Sequence, residues 1–208
     1  MSSSVTGPTL DDHQAPSDPM ELFDDWLKDA VDTGMFVPNA MALATVREDG
    51  TPAVRMVLLK GHGPDGFVFY TNYESAKSEQ LDATGQATLL FWWRDVQRQV
   101  RVRGTVCRTD AATSAAYFAS RDRGSQLGAW ASHQSHPVGS RQELDARFRD
   151  TAARFEGSES VPCPPFWGGY RLEADSMEFW QGRDDRMHDR VLYRRAASGG
   201  WSRVRLMP

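Results

Sequence analysis

Residues 40–60 read Ala40-Met-Ala-Leu-Ala-Thr-Val-Arg-Glu-Asp-Gly-Thr-Pro-Ala-Val-Arg-Met-Val-Leu-Leu-Lys60. Two runs of β-forming residues flank Glu48-Asp49-Gly50, whose composition suits a tight reversal. The reading is a hairpin, with strands over 40–47 and 53–60. Upstream, Phe23, Trp26, Leu27, Ala30 and Val31 recur at helical spacing. Asp18 is positioned to cap that helix, Pro19 to begin it and Gly34 to stop it. Downstream, strands are expected over 67–72, 87–93 and 97–108, the last two joined by a turn at Arg94-Asp95. Short helices are expected over 75–81 and from an Asp110 cap to Ser120. Ser140 and Glu143 form a capping box whose helix would end at Gly157. Pro162, Pro164 and Pro165 make a stiff connector. Strands over 167–173, 177–181, 191–195 and 201–206 complete the pattern. Strands joined mostly by hairpins, with helices inserted between them, argue for a mainly β, antiparallel barrel with peripheral helices (α+β). They argue against a doubly wound parallel sheet.

The 208 residues suit one domain, 19–208, preceded by an arm at 1–18 rich in Ser, Pro, Asp and Thr and read as flexible. The arm lacks the basic-then-apolar order of a secretory signal, and no apolar run approaches a membrane span. A net charge of −4 disfavours nucleic acid or anionic membrane as a partner of the whole surface. Cys107 and Cys163 form no CxxC pair; they fit a reducing cytoplasm and read as buried or semi-buried small side chains.

Gly61-His-Gly-Pro-Asp-Gly66 matches GxGxxG, but a strand follows it instead of a helix, so it reads as a strand-to-strand turn. His133, His136 and Cys163 lack the spacing and fourth ligand of a closed zinc site. No GxSxG elbow supports a Ser-His-Asp hydrolase. Arg186, His188 and Arg190 fall at i, i+2 and i+4, on one side of an extended segment. Spacing alone leaves two readings open: a charged edge strand, or an anion or cofactor site with Trp180 as a flat wall. Tyr117, Arg121 and Ser125 would share one helix face as a phosphate clamp, although the charged run around Gly124 suggests a break there. Arg55 and Lys60 would point to opposite faces of a regular strand, and can meet one ligand only if the strand bends or ends between them. Lys77 lies near a helix start, which favours anions. Gln99 should face away from Val100 and Val102, leaving its amide for a partner.

These segments together resemble the pyridoxamine 5′-phosphate oxidase family. The stretches are Arg55-Met-Val-Leu-Leu-Lys60, Phe69-Tyr-Thr-Asn72, Arg98-Gln-Val100, Ser125-Gln-Leu-Gly-Ala-Trp130, His133-Gln-Ser135, Phe166-Trp-Gly-Gly-Tyr170, and Glu178-Phe-Trp-Gln-Gly-Arg183 through Arg186-Met-His-Asp-Arg190. The resemblance spans about 19–208. It implies an FMN-binding split β-barrel homodimer with FMN at the subunit interface. It places FMN contacts on Arg55, Met56, Val57, Leu58, Leu59, Lys60, Tyr70, Thr71, Lys77, Gln99, Gln134, Ser135, Trp180 and Arg190. It places substrate contacts on Lys60, Tyr117, Arg121, Ser125, Arg186 and His188, the last two catalytic. Ala76 departs from an arginine common in relatives, which removes one phosphate donor.

The implied reaction is oxidation of pyridoxamine or pyridoxine 5′-phosphate to pyridoxal 5′-phosphate, with oxygen as acceptor and hydrogen peroxide as product. Arg186 is expected to orient the substrate and His188 to accept a proton. Two rival readings keep part of this picture: the same flavin barrel acting on another small molecule, and a non-catalytic store of FMN or pyridoxal phosphate.

Overall fold

The computed structural model describes residues 9–11 and 13–208. Helix α1 (Pro19–Asp32) begins as its sequence dictates. The Asp18 side chain accepts from the Met20 N–H, and Gly34, just past the end, takes a left-handed φ of 75°. Strands β1 (Ala40–Val46) and β2 (Pro52–Leu58) form the expected hairpin, with Val46 opposite Pro52. The GxGxxG segment is indeed a reversal, from a short strand β3 (Gly61–Gly63) into β4 (Gly66–Asn72). Next come α2 (Ala76–Thr84), β5 (Gln86–Trp93) and β6 (Arg98–Arg108). Then follow α3 (Ala111–Ala119), α4 (Arg123–Ala131), α5 (Arg141–Arg154), β7 (Trp167–Gln181), β8 (Asp189–Arg195) and β9 (Trp201–Arg205).

The strands form a single antiparallel sheet in the order β2-β1-β5-β6-β7-β4-β3, with β8 also paired to β7 and β9 to β8. Strand β7 organises it. One edge of β7 runs along β6, while the other pairs first with β4 through Leu172 and then with β8 from Ser176. Two separate strands were expected here, over 167–173 and 177–181. They are one 15-residue strand whose alternation is disturbed near a register shift opposite Arg103 and Gly104. Gly104 is required there, because a Cβ would run into the Glu173 carbonyl.

The inner face buries Met41, Leu43, Leu89, Phe91, Val100, Val102, Met177 and Phe179. Helix α1 closes this core: Phe23 meets Phe67 and Phe91 edge-on at centroid distances of 5.0 and 5.1 Å. A second cluster of Phe118, Leu127, Phe155, Val161 and Trp167 ties α3, α4 and the end of α5 to the start of β7. The opposite face of the sheet is different. Val54, Met56 and Trp92 are 70, 63 and 48 % exposed there, so apolar side chains line an uncovered surface.

Three further expectations change. Helix α5 ends at Arg154, before Gly157. Cys107 is exposed on β6 rather than buried, while Cys163 is half-buried. The arm's described residues lie against the barrel: Leu10 is buried, and Arg203 donates to the Ala15 and Pro16 carbonyls at 2.6 and 2.9 Å. Residues 1–8 and 12 of that arm lie outside the described residues.

Candidate active site

A cleft of about 820 Å³ opens between β2, β4, the start of α2 and the α3–α4 corner. The end of β2 at Leu58 answers the question posed by Arg55 and Lys60. Lys60 lies beyond the strand, so both residues line the cleft together. Arg55 is committed to structure. It donates to the Leu43 carbonyl at 3.0 Å, to Thr45 Oγ1 at 2.6 Å and to Gln80 Oε1 at 2.9 Å. Those bonds clamp α2 against β1, and thereby place Lys77.

Lys77 Nζ donates to Thr71 Oγ1 at 3.1 Å, to Ser75 Oγ at 3.0 Å and to Gln134 Oε1 at 2.5 Å. Burial, and then the nearby Arg55 charge, push its pKa down to about 8. An ammonium so depressed is short of negative charge. Ser135 beside it holds a left-handed φ of 73°, a strained backbone position at the cleft wall.

The other wall is aromatic. Tyr70 stacks on Tyr117 at 4.0 Å and on Trp167 at 5.4 Å. Gly169 leaves room for it, since a Cβ there would press on the Tyr70 ring. Burial pushes the Tyr70 hydroxyl pKa up. The expected helix break falls after Ala119. Asp122 then caps α4 by accepting from the Ser125 N–H at 2.7 Å. Despite the break, Tyr117, Arg121 and Ser125 all line the cleft. The Arg121 guanidinium lies 4.8 Å from the Trp167 ring centroid. Its Nη1 is buried and, among the described residues, is the buried side-chain nitrogen left without a hydrogen-bond partner. A buried charged donor without a partner is costly unless a ligand completes it.

The structure thus brings together Arg55, Met56, Val57, Leu58, Lys60, Tyr70, Thr71, Lys77, Tyr117, Arg121, Ser125, Gln134 and Ser135. Leu59 is the exception within its run: its side chain is buried in the barrel core. Sequence reasoning missed Trp167 and Asp122 on the cleft wall. Asp122, three residues before Ser125, carried a capping signal that could have revealed its place.

Gln99, Trp180, Arg186, His188 and Arg190 do not line this cleft. Trp92, Gln99, Trp180 and Arg190 instead form one cross-strand row on the uncovered sheet face. Arg190 is anchored by Glu178, which is 4 % exposed, through Nε at 3.0 Å and Nη2 at 2.8 Å. Arg101 pairs with the other Glu178 oxygen. The expected extended run through 186–190 is corrected. Residues Asp184–Arg186 make a tight turn with left-handed Asp185 and Arg186, and β8 starts only at Asp189. The three side chains therefore do not share one strand face by simple alternation. The Trp180 ring does stand beside His188, at 4.5 Å. Among the described residues, no group of acidic, His and Cys side chains is arranged to hold a metal.

An antiparallel barrel split along one long strand, with a cationic, aromatic-walled cleft beside an open apolar sheet face, defines the class: a split-barrel protein. A model of the family described as Pyridoxamine 5'-phosphate oxidase matches residues 27–155, and a Pyridoxine 5'-phosphate oxidase C-terminal dimerisation region matches 167–208. A pyridoxine/pyridoxamine 5'-phosphate oxidase of Rubrobacter xylanophilus is 54% identical over 93% of this chain and 88% of its own. One of Sphingopyxis alaskensis is 48% identical over 99% and 94%. The crystal structure of PhzG from Burkholderia lata, in complex with tetrahydrophenazine-1-carboxylic acid, superposes with a TM-score of 0.91 at 30% identity, covering 99% of this chain and 100% of that one. The chain belongs to the pyridoxamine 5'-phosphate oxidase family of oxidoreductases.

Proposed function

We propose that the chain acts as a homodimer that uses FMN to oxidise pyridoxamine and pyridoxine 5′-phosphate to pyridoxal 5′-phosphate, with oxygen as acceptor and hydrogen peroxide as product. The observation that carries this reading is the meeting of Lys60, Tyr117, Arg121 and Ser125 in one cleft, with a buried Arg121 donor still open. Two cations and two hydroxyls suit a phosphate dianion. The residues also fit the cofactor. Lys77 with Thr71, Gln134 and Ser135 offers a second cationic site in the same cleft, apt for the FMN phosphate. FMN, when bound, supplies the two-electron redox chemistry and its reoxidation by oxygen.

The chain's own residues do the positioning. Lys60 and Arg121 fix the substrate phosphate, and the fixed phosphate sets where the pyridine ring lies. Gln99 and Trp180 belong to the open sheet face, so in this reading they reach the cleft from a second copy, across the region matched as a dimerisation region. Arg186 and His188 would arrive with them and cover the substrate. Arg186 orients it and stabilises charge.

Anaerobic addition of pyridoxamine 5′-phosphate to the purified yellow protein should bleach the flavin absorbance, and air should restore it with one peroxide per turnover. A flavin band that stays unchanged would leave the non-catalytic store in place. Arg186→Leu should lower turnover ~100-fold while flavin content holds; equal losses of both would move Arg186 out of the substrate site.

The likeness to PhzG supports a second reading, a flavin barrel acting on a polycyclic carboxylate. Oxidation of tetrahydrophenazine-1-carboxylic acid in preference to the B6 phosphates would favour it.

A further inference from the structure

The turn leading into β8 fixes the proton on a histidine. The Arg183 backbone N–H donates to His188 Nδ1 at 3.1 Å. A ring nitrogen that accepts a hydrogen bond carries no proton, so a neutral His188 bears its proton on Nε2. The turn that makes this bond is not self-supporting. Asp185 and Arg186 are consecutive non-glycine residues at φ values of 56° and 61°. Such positions persist only where surrounding structure over-determines them.

Asp189 supplies that support. Its side chain is 12 % exposed. Oδ2 accepts from Arg183 Nε at 2.7 Å and from the Leu10 N–H at 3.3 Å, and Oδ1 accepts from Arg205 Nη1 at 2.9 Å. Arg205 Nη2 in turn donates to the Leu10 carbonyl at 2.7 Å. Arg183 is therefore held to His188 by its backbone and to Asp189 by its side chain. Burial would raise the Asp189 carboxyl pKa, but the bonds from Arg183 and Arg205 outweigh it and leave the group below its ordinary value.

We propose that Asp189 is a positioning residue that works through Arg183 to lock His188 in its Nε2–H form, so that His188 meets the substrate as a hydrogen-bond donor. This rests on the reading above that His188 faces the substrate. It reverses the expectation that His188 accepts a proton there, because Nδ1 is already engaged and Nε2 already carries one. It also gives the chain's beginning a role: Leu10 and the C-terminal Arg205 close the far side of the Asp189 carboxylate.

Nitrogen-15 NMR of ring-labelled histidine in the flavin-loaded full chain tests this, with His188→Asn assigning the signal among the five histidines. The wild type should show His188 with a protonated Nε2 and an unprotonated Nδ1. Asp189→Asn, which keeps the shape and removes the charge, should populate the Nδ1–H form and raise KM for pyridoxamine 5′-phosphate ~5-fold. Arg183→Gln, which leaves the Leu10 and Arg205 bonds to Asp189 in place, should shift the same signal should Asp189→Asn fail to fold. A wild-type ring protonated on Nδ1, or a signal unmoved in the folded variants, overturns the lock. A preserved lock in a protein that never oxidises the B6 phosphates would instead sink the proposed function.

Discussion

The cleft and the open sheet face are built on opposite logics. In the cleft, Lys60, Lys77 and Arg121 line a concavity with one carboxylate, Asp122, among its lining residues, and Arg121 Nη1 has no partner. On the sheet face a buried carboxylate is present: Glu178 takes both Arg101 and Arg190. That face also leaves Val54, Met56 and Trp92 exposed. One region lacks negative charge and the other lacks cover. The contrast teaches that neither is complete alone. In the proposed function an anion would satisfy the first, and a second copy of the sheet the second.

The sharpest way to break this comparison is to charge the apolar face away from the cleft. Val54 is 70 % exposed and does not line the cavity. Val54→Asp would bury an uncompensated carboxylate in a dimer, at about 3–5 kcal/mol. Light scattering should then find a monomer, and flavin absorbance should show the cofactor lost. A monomer that keeps its flavin would place the whole site within one chain.

Within the cleft, Arg121→Leu separates substrate from cofactor. A charge-assisted bond to a buried donor is worth about 1.5–3 kcal/mol, so kcat/KM for pyridoxamine 5′-phosphate should fall ~10–150-fold with flavin content unchanged. Loss of flavin in this variant would assign Arg121 to the cofactor phosphate instead.

Much of this arrangement was legible from the sequence, and the limits have physical causes. The 40–60 hairpin and the α1 caps are local: turn residues and side-chain caps act within a few positions, so their signals survive without tertiary context. The single long β7 was not legible. Its alternation breaks at Asp175 and Ser176, where the pairing partner changes from β4 to β8, and that hand-over is a property of the sheet. The 184–186 turn escaped because Asp185 and Arg186 take left-handed backbones that no propensity predicts. Asp189, just after the turn, bonds Arg183 just before it, and Arg205 and Leu10 from far along the chain. Spacing did place Tyr117, Arg121 and Ser125 together, even across the helix break, because the Asp122 cap restarts the helix within a turn. Spacing could not say that Gln99 and Trp180 lie on another face.

Lys77 gives the comparison a pH axis. Its pKa sits at about 8 against an ordinary 10.5, chiefly through burial. Below pH 8 the free protein carries a costly buried ammonium, so its stability should rise as pH climbs from about 8 toward 10.5. Phosphate binding runs the other way, because it needs that charge. FMN affinity should therefore fall as pH rises through about 8. Lys77→Ala should weaken FMN ~10-fold below that pH, at the scale of one charge-assisted bond, and should flatten the profile in titrations by flavin fluorescence. A wild-type profile already flat from pH 7 to 9.5 would remove Lys77 from the cofactor phosphate.

The smallest expected effect tests Ala76, where the resemblance implies an arginine. Ala76 is exposed on the cleft wall, at the first position of α2, next to Lys77. An arginine there would add a donor to the Lys77 side of the cleft without displacing any buried group. It would also bring a third cation close to Arg55 and Lys77, and their mutual repulsion offsets part of the gain in the free protein. An anion relieves that repulsion, so the benefit appears only on binding. An exposed charge contributes about 0.2–1 kcal/mol, so Ala76→Arg should tighten FMN by no more than ~5-fold, and less at high salt. Because the added guanidinium does not titrate near pH 8, the variant should also hold its affinity further into alkaline solution than the wild type. An Ala76→Arg protein whose FMN affinity and pH profile both match the wild type would mean that the phosphate lies out of reach of the α2 start, on the Arg121 side of the cleft.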